Sequence, residues 1–259
     1  MNLTDEQFKK WITWLKHLPE IENIEIPRCY LMKFHNWEGT YVQLHIFVDA
    51  SQNASAVVAY LRIQKDSEIE CVLIGAKTHI APIKLQTMPR LELDGAVLGA
   101  RFAKNISREL SITINDCIYW SDSVIVLTWI RTEDPRQFCT YVAYRVAEIQ
   151  DNSLISNWRY IPTKLNVADE ATKWTKRPTL KITDTWFKAP KFLYEEQPLW
   201  PLDITSETKQ EEIMIHHNSQ TCEPIIKIEN FSKFIKLLRT MGYIYRYIKK
   251  LKAVVKKRN

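Results

Sequence analysis

The chain has 259 residues, of which 46% are hydrophobic and 25% charged, a composition typical of a globular protein with one sizeable core. Five cysteines without a C-x-x-C pair indicate a reducing compartment rather than a disulfide framework. No apolar run approaches the roughly eighteen residues of a membrane span, and the N-terminus is polar. We therefore expect an intracellular protein that is neither secreted nor membrane-spanning.

The positive charge is concentrated at the C-terminal end. The formal net charge is +6, yet residues 231–259 hold ten Lys/Arg and no Asp/Glu, which leaves −4 for the other 230 residues. Apolar residues recur at near-helical intervals in this tail, so it is predicted to be a basic amphipathic helix. The polar region before it, which ends at residue 230, reads as a linker.

The first predicted element is a helix. Thr4-Asp-Glu-Gln7 forms a capping-box pattern, and apolar residues follow at helical spacing until Pro19, where we expect the helix to end. Its apolar positions predict that it packs against another element. Residues 20–40 are irregular and read as a connector.

Residues 41–81 change to a period of two with many β-branched side chains. Short polar connections separate three apolar runs, which predicts three antiparallel strands at 41–49, 56–63 and 71–77. In the first strand, Leu44, Ile46 and Val48 are expected on one face and His45 and Phe47 on the other.

Helices and strands alternate after this meander. The patterns predict helices at 90–107, through Trp129 and Ile130, at 137–150 and at 166–174, with strands at 116–121 and 158–162. Gly95, Gly99 and neighbouring alanines give the first of these helices a smooth stripe suited to close packing on a sheet. The order βββαβααβα predicts an α/β fold with a mixed five-stranded sheet, helices on both faces, and flanking helices.

Four carboxylates stand at the starts or ends of these elements: Asp49, Glu92, Asp122 and Asp169. Each alone has a simpler explanation, as a turn, cap or helix-dipole residue. Gathered in one place, they would repel one another and raise one another's pKa unless divalent cations neutralised them. Their order therefore suggests a metal-dependent site. Asp94 lies two positions from Glu92 and is expected to face away from it.

Several motifs carry a resemblance to a known family. These are Phe47-Val-Asp-Ala-Ser, Ala76-Lys-Thr-His-Ile-Ala-Pro, Pro89-Arg-Leu-Glu-Leu, Tyr119-Trp-Ser-Asp-Ser, Val146-Ala-Glu-Ile, Trp158-Arg-Tyr-Ile-Pro-Thr and Asn166-Val-Ala-Asp. Together they resemble the ribonuclease H-like region of BEL/Pao retrotransposon Pol polyproteins over about residues 1–200.

The resemblance implies a domain organisation. Residues 1–40 resemble the end of a reverse-transcriptase connection, and 41–180 the ribonuclease H-like domain. A post-domain segment and linker follow at 181–230. Residues 231–259 would then lead toward an integrase part. The protein is expected with the reverse-transcriptase and integrase parts of the same polyprotein, in a cytoplasmic particle or the nucleus.

The resemblance also implies an activity, hydrolysis of the RNA strand of RNA–DNA hybrids with two Mg²⁺ ions, for which Mn²⁺ can substitute. Asp49 would bridge both ions, Glu92 and Asp122 would complete the ion at the leaving 3′ oxygen, and Asp169 would hold the ion that activates water. The RNA strand would be recognised by its 2′-hydroxyl groups.

Basic residues near these motifs are candidates for phosphate contacts. They are Lys77, Arg90, Arg145, Arg159 and Lys164. The tryptophans at 120, 129, 158 and 174 could stack on bases, but they lie in apolar periodic segments and are better explained as core residues.

Some positions depart from the family pattern. Tyr160 stands where histidine is common, Val167 where proline is usual, and Ala189 where glycine is expected. Glu170 and Lys173-Trp174 replace the usual leucine and arginine-glycine. These differences bear on turnover rather than on the fold.

The motifs also bear on four other functions. An integrase or transposase core needs a glutamate about 35 residues beyond the second aspartate, where this chain has Asn157, and an editing exonuclease needs Asp-x-Glu instead of Asp49-Ala-Ser. A Pao-type aspartic peptidase would need Asp-Thr/Ser-Gly, which neither Asp49 nor Asp122 begins. The alternative from a different class is a catalytically inactive nucleic-acid-binding or connection module.

Overall fold

The computed structural model describes residues 4–22, 24–27, 29–173 and 181–204. The predicted basic tail at 231–259, almost all of the linker before it, and Trp174 lie outside the described residues.

The N-terminal helix α1 spans Asp5–Ile21 and begins with the predicted capping box. The Thr4 N–H donates to Gln7 Oε1 at 2.9 Å, and the Gln7 N–H donates to Thr4 Oγ1 at 3.3 Å. Pro19 lies inside the helix, so the predicted end at Pro19 is wrong. Proline lacks an N–H but has a helical φ, and its carbonyl still accepts a bond from the Glu22 N–H.

Helix α1 also leaves several of its apolar side chains exposed to solvent. Phe8 is 53% exposed and Trp11 is 49% exposed. The Trp11 and Trp14 rings stack on each other with centroids 5.0 Å apart. Ile12 and Leu18 are half-buried, so the helix is partly covered, and its packing against another element stays a prediction.

The sheet has the predicted five strands: β1 (Tyr41–Ala50), β2 (Ala54–Lys65), β3 (Glu68–Ile80), β4 (Asp116–Ser121) and β5 (Trp158–Tyr160). Their order is β3-β2-β1-β4-β5. Strand β2 is antiparallel to β1 and β3, whereas β4 is parallel to β1 and β5 is parallel to β4. This arrangement confirms the predicted mixed sheet of a ribonuclease H-like fold.

The helices after the meander are α2 (Met88–Glu109), α3 (Val124–Ile130), α4 (Thr140–Asn152), α5 (Asp169–Thr172) and α6 (Thr185–Lys188). Helix α4 begins three residues later than predicted, because Pro135–Gln137 forms a 3₁₀ turn capped by Asp134. Helix α5 is much shorter than the predicted 166–174. No helix in the described ranges is long and apolar enough to cross a membrane.

The alternation along β1 produces a core on each face of the sheet. Leu44, Ile46 and Val48 pack in one core, and Phe47 packs with Trp120 in the other. Trp120, Trp129 and Trp158 are all at least 95% buried, which confirms their interpretation as core residues.

Helix α2 crosses β1 at very short range, as its small residues predicted. A Cβ atom on Gly99 would clash with Val48 Cγ1, and one on Gly95 would lie 3.2 Å from the Asp49 carbonyl oxygen. This close approach brings the first half of α2, which carries Glu92, to the end of β1.

Candidate active site

Three of the predicted carboxylates meet at one edge of the sheet. Asp49 is the penultimate residue of β1, and Asp122 directly follows β4. Because these strands are parallel neighbours, their C-terminal ends lie side by side. Asp169, the first residue of α5, acts electrostatically on both. The sequence therefore identified residues that the fold brings together.

Asp49 is the most perturbed of these acids. The pKa of its carboxyl is raised from 3.8 to about 6, mainly by burial and also by the negative charges of Asp122 and Asp169. A hydrogen bond from the Thr172 hydroxyl and the positive charge of Lys173 oppose this rise. The site thus holds a carboxylate whose ionisation is disfavoured without added positive charge.

The pKa of Asp122 is also raised, less strongly than that of Asp49. Burial and the charge of Asp169 raise its pKa, while hydrogen bonds with the side chains of Thr163 and Asn166 lower it. These two partners come from the loop between β5 and α5, so that loop stabilises the ionised carboxylate.

Glu92 joins the site through Ser123. The Ser123 hydroxyl donates to Glu92 Oε2 at 2.6 Å and accepts the N–H of Val126 at 3.3 Å as the cap of α3. Glu92 is therefore linked to the residue next to Asp122. Asp94 faces elsewhere, as expected, and accepts a hydrogen bond from the Tyr141 hydroxyl at 2.7 Å.

Asp169 forms an ion pair with the residue that directly follows its short helix. Lys173 Nζ lies 2.5 Å from Asp169 Oδ1 and 2.6 Å from Oδ2. The pKa of Lys173 is raised first by Asp169 and then by the charges of Asp49 and Asp122. One ammonium group thus acts on all three aspartates.

Residues that sequence reasoning did not assign to the site hold it in place. The Asn166 amide donates to the carbonyl of Val48 at 2.9 Å, and the Ser51 hydroxyl donates to the carbonyl of Thr172 at 3.0 Å. Asn166 and Thr172 are both buried polar residues. Asn166 stood in a motif already singled out, but its contact with β1 spans 118 positions and has no local signal.

The donor set fits Mg²⁺ in its chemistry. Carboxylate oxygens are the ligands that Mg²⁺ prefers, and one or two of them suffice when waters and substrate phosphates complete the shell. No group of three or more His, Cys, Asp or Glu side chains among residues 4–22, 24–27, 29–173 and 181–204 is arranged to hold a metal ion. In this structure the carboxylate oxygens of Asp49 and Glu92 accept hydrogen bonds from hydroxyl groups, and those of Asp169 contact the Lys173 ammonium. Positive charge at the site therefore comes from that ammonium.

Two of the five predicted phosphate-contacting residues flank one aromatic ring. The guanidinium carbons of Arg90 and Arg145 lie 5.1 Å and 3.5 Å from the Tyr141 ring centroid. Arg145 also forms an ion pair with Asp94. Lys77 and Lys164 are exposed.

Arg159 lies in a different environment. Its guanidinium carbon is 5.4 Å from the Trp120 ring centroid and 5.6 Å from that of Trp200, within the second core. Its Nη1 atom is buried and has no hydrogen-bond partner in the part of the chain that the structure describes. The structure therefore does not bring Arg159 together with Arg90 and Arg145.

The positions that depart from the family pattern are accommodated by the fold. Val167 is buried in the second core, and the Tyr160 N–H donates to Asp203 Oδ1 at 3.0 Å. Ala189 has a φ of 66° and a ψ of 159°, a conformation that glycine adopts far more easily than alanine. The expectation of glycine at this position therefore has a backbone reason.

Comparisons with solved structures return ribonuclease H proteins at low identity and low TM-score. The N-terminal RNase H domain of Rv2228c from Mycobacterium tuberculosis aligns at 16% identity and a TM-score of 0.34, covering 51% of this chain and 94% of that one. LC11-RNase H1, solved in complex with an RNA/DNA hybrid, aligns at 13% identity and a TM-score of 0.31, with coverages of 50% and 91%. RNase H1 from Halobacterium salinarum NRC-1 aligns at 14% identity and a TM-score of 0.28, covering 51% of this chain and 93% of that one. The fold assignment itself is based on the strand order described above.

A family model gives the more specific result. No curated protein matches the chain. The model described as the Pao retrotransposon-like RNaseH-like domain matches residues 1–123, a range that contains Asp49, Glu92 and Asp122 and ends before Asp169. The predicted resemblance to the ribonuclease H-like region of Pao retrotransposons is thus confirmed over residues 1–123.

Proposed function

We propose that this protein is a metal-dependent endonuclease that hydrolyses the RNA strand of RNA–DNA hybrids. The observation that carries the proposal is the meeting of Asp49, Asp122 and Asp169 at the C-terminal edge of β1 and β4. Burial and nearby negative charge disfavour the ionised forms of Asp49 and Asp122, and divalent cations are the usual compensation for such a cluster.

We propose for each carboxylate the role that the family resemblance implies. Asp49 would contact both of two Mg²⁺ ions, with Glu92 and Asp122 on one and Asp169 on the other. When bound, the ions supply a nucleophilic water and neutralise charge on the leaving oxygen. Thr172 and Asn166 orient the acids and keep the loop before α5 on β1.

Two arginines beside Tyr141 are candidates for contacts with the substrate backbone. Arg90 lies in the first turn of α2, two residues before Glu92, and the guanidinium groups of Arg90 and Arg145 both lie close to the Tyr141 ring. The ring holds the two guanidinium groups by cation–π contacts. We propose that this pair and the exposed Lys77 and Lys164 contact phosphates, which position a nucleic acid without reading its sequence.

A specific observation favours a second candidate function. Thr172 and Lys173 engage Asp49 and Asp169, and the chain lacks the histidine expected at position 160. A module with these features could bind hybrids and connect neighbouring domains without cleaving them. This alternative predicts hybrid binding with no Mg²⁺-dependent products.

The wider setting is also part of the proposal. We place this chain in a retrotransposon Pol polyprotein, beside its reverse-transcriptase and integrase parts, in a cytoplasmic particle or the nucleus. In that setting, removal of the RNA strand belongs to reverse transcription and precedes DNA integration. The support for this setting is the family match over residues 1–123.

The test is hybrid cleavage by the purified full-length protein with Mg²⁺ or Mn²⁺. We expect internal cuts in the RNA strand, and no cuts when the 2′-hydroxyls near the site are replaced by hydrogen. Asp49→Asn should abolish cleavage, because an amide cannot neutralise two cations. Equal cleavage of duplex DNA would instead favour a transposase-like activity, and hybrid binding without cleavage would favour the connection module.

A further inference from the structure

The ammonium group of Lys173 occupies a central electrostatic position in the candidate site. It lies within 2.6 Å of both carboxylate oxygens of Asp169. Its charge also acts on Asp49 and Asp122. A single flexible cation therefore compensates the group of acids that is proposed to bind metal.

The backbone next to Lys173 is fixed on β1. The Thr172 side chain is buried and donates a hydrogen bond to Asp49, while its carbonyl accepts one from Ser51 at 3.0 Å. The Lys173 N–H donates to the carbonyl of Asp169 at 3.1 Å. These contacts hold the base of the lysine beside the acids, although 58% of its side chain remains open to solvent.

We propose that Lys173 is a resident counter-ion of Asp169, and that a divalent cation binds at this acid by displacing the lysine ammonium. This inference rests on the proposed metal-dependent function and adds a residue that sets the metal affinity. Lys173 acts through Asp169 and is therefore a positioning residue. Its long side chain lets the ammonium move into solvent while the backbone stays in place.

Two opposite consequences follow from this arrangement. Without metal, loss of the lysine charge leaves three carboxylates less compensated, so the folded protein becomes less stable. With metal, the same loss removes a competitor, so the ion binds more tightly. A lysine with only a structural role would produce the first effect without the second.

The experiment measures Mn²⁺ binding to the full-length protein without nucleic acid, by electron paramagnetic resonance of free Mn²⁺. Lys173→Met should bind Mn²⁺ about fivefold more tightly than the unsubstituted protein, a modest factor because an exposed ion pair is screened by solvent. Its melting temperature in EDTA should fall, and Mn²⁺ should raise it by more. Lys173→Arg keeps the charge, and Lys188→Met removes an exposed lysine on α6, so both should stay within about twofold of the unsubstituted affinity.

The increase in Mn²⁺ affinity must also depend on Asp169. In a protein that already carries Asp169→Asn, adding Lys173→Met should therefore not increase the Mn²⁺ affinity. Equal Mn²⁺ affinity of Lys173→Met and the unsubstituted protein, including no binding by either, would overturn the inference. The inference would also be overturned if Lys173→Met still increased the Mn²⁺ affinity of the Asp169→Asn protein. Hybrid cleavage is scored separately: tighter Mn²⁺ binding without cleavage by any variant would refute the proposed nuclease but not the counter-ion. Cleavage with equal affinities would refute only the counter-ion.

Discussion

The Asp49→Asn variant tests the electrostatic reasoning apart from catalysis. The carboxyl of Asp49 has its pKa raised from 3.8 to about 6 in the folded protein. One pKa unit corresponds to 1.36 kcal/mol, so the folded protein disfavours ionisation of this carboxyl by roughly 3 kcal/mol. The carboxyl is partly open to solvent, which screens the effect, so we expect its ionisation to destabilise the fold by roughly 1–2 kcal/mol. The asparagine oxygen can still accept the Thr172 hydroxyl, which keeps that contact.

The sign depends on pH. A carboxyl whose folded pKa is raised stabilises the fold fully below its unfolded pKa, and this contribution is lost as pH rises through the folded value. For Asp49 the loss falls between about pH 4 and 6. Asp49→Asn should therefore raise the unfolding free energy by roughly 1–2 kcal/mol at pH 7 in EDTA and change it little near pH 3.5.

Urea denaturation at the two pH values measures this difference, and hybrid cleavage is assayed on the same preparations. Asp151→Asn changes an exposed aspartate near the end of α4 and serves as the matched control, with no pH-dependent gain expected. A loss of stability at pH 7 would refute the account of the buried acid. Unaltered hybrid cleavage by Asp49→Asn would refute the metal-bridging role.

Three further predictions concern packing and the tail. Gly99→Ala should lower the unfolding free energy by roughly 1–3 kcal/mol in urea denaturation, because its Cβ would overpack the sheet, whereas Gly75→Ala should cost about 0.5 kcal/mol or less. Ala189→Gly should raise the unfolding free energy by roughly 0.5–1 kcal/mol, and a decrease would contradict the strain inferred from its positive φ. Deleting residues 231–259 should shift the net charge to −4 and weaken nonspecific nucleic-acid binding in a salt-dependent way, measured by fluorescence anisotropy; unfolding of residues 41–175 would show that the domain division is wrong.

The sheet could be predicted because its signals are local. Alternating side chains in Leu44 to Val48 fixed which face each residue occupies, and the small residues Gly95 and Gly99 indicated close packing of α2. The environment of α1 could not be predicted in this way. Its amphipathic pattern indicates that a partner is favourable, but it does not say which segment supplies one.

The acids of the site were also predictable, since a carboxylate that ends a buried strand has no role in the core. Their partners were not. Thr172 reaches Asp49 across 123 positions, and Ser123 reaches Glu92 across 31. Such contacts depend on the tertiary arrangement, so no spacing in the sequence indicates them.

The two sides of the candidate site are built differently, and this difference bears on metal binding. Asp49, Asp122 and Glu92 stand on or next to strands and the 22-residue helix α2. Asp169 stands on a four-residue helix that is held beside β1 by hydrogen bonds from the side chains of Asn166 and Ser51. Asp169 is also the acid that holds the Lys173 ammonium. We therefore expect the first ion to bind among the acids on β1, β4 and α2, and the ion at Asp169 to be the weaker one.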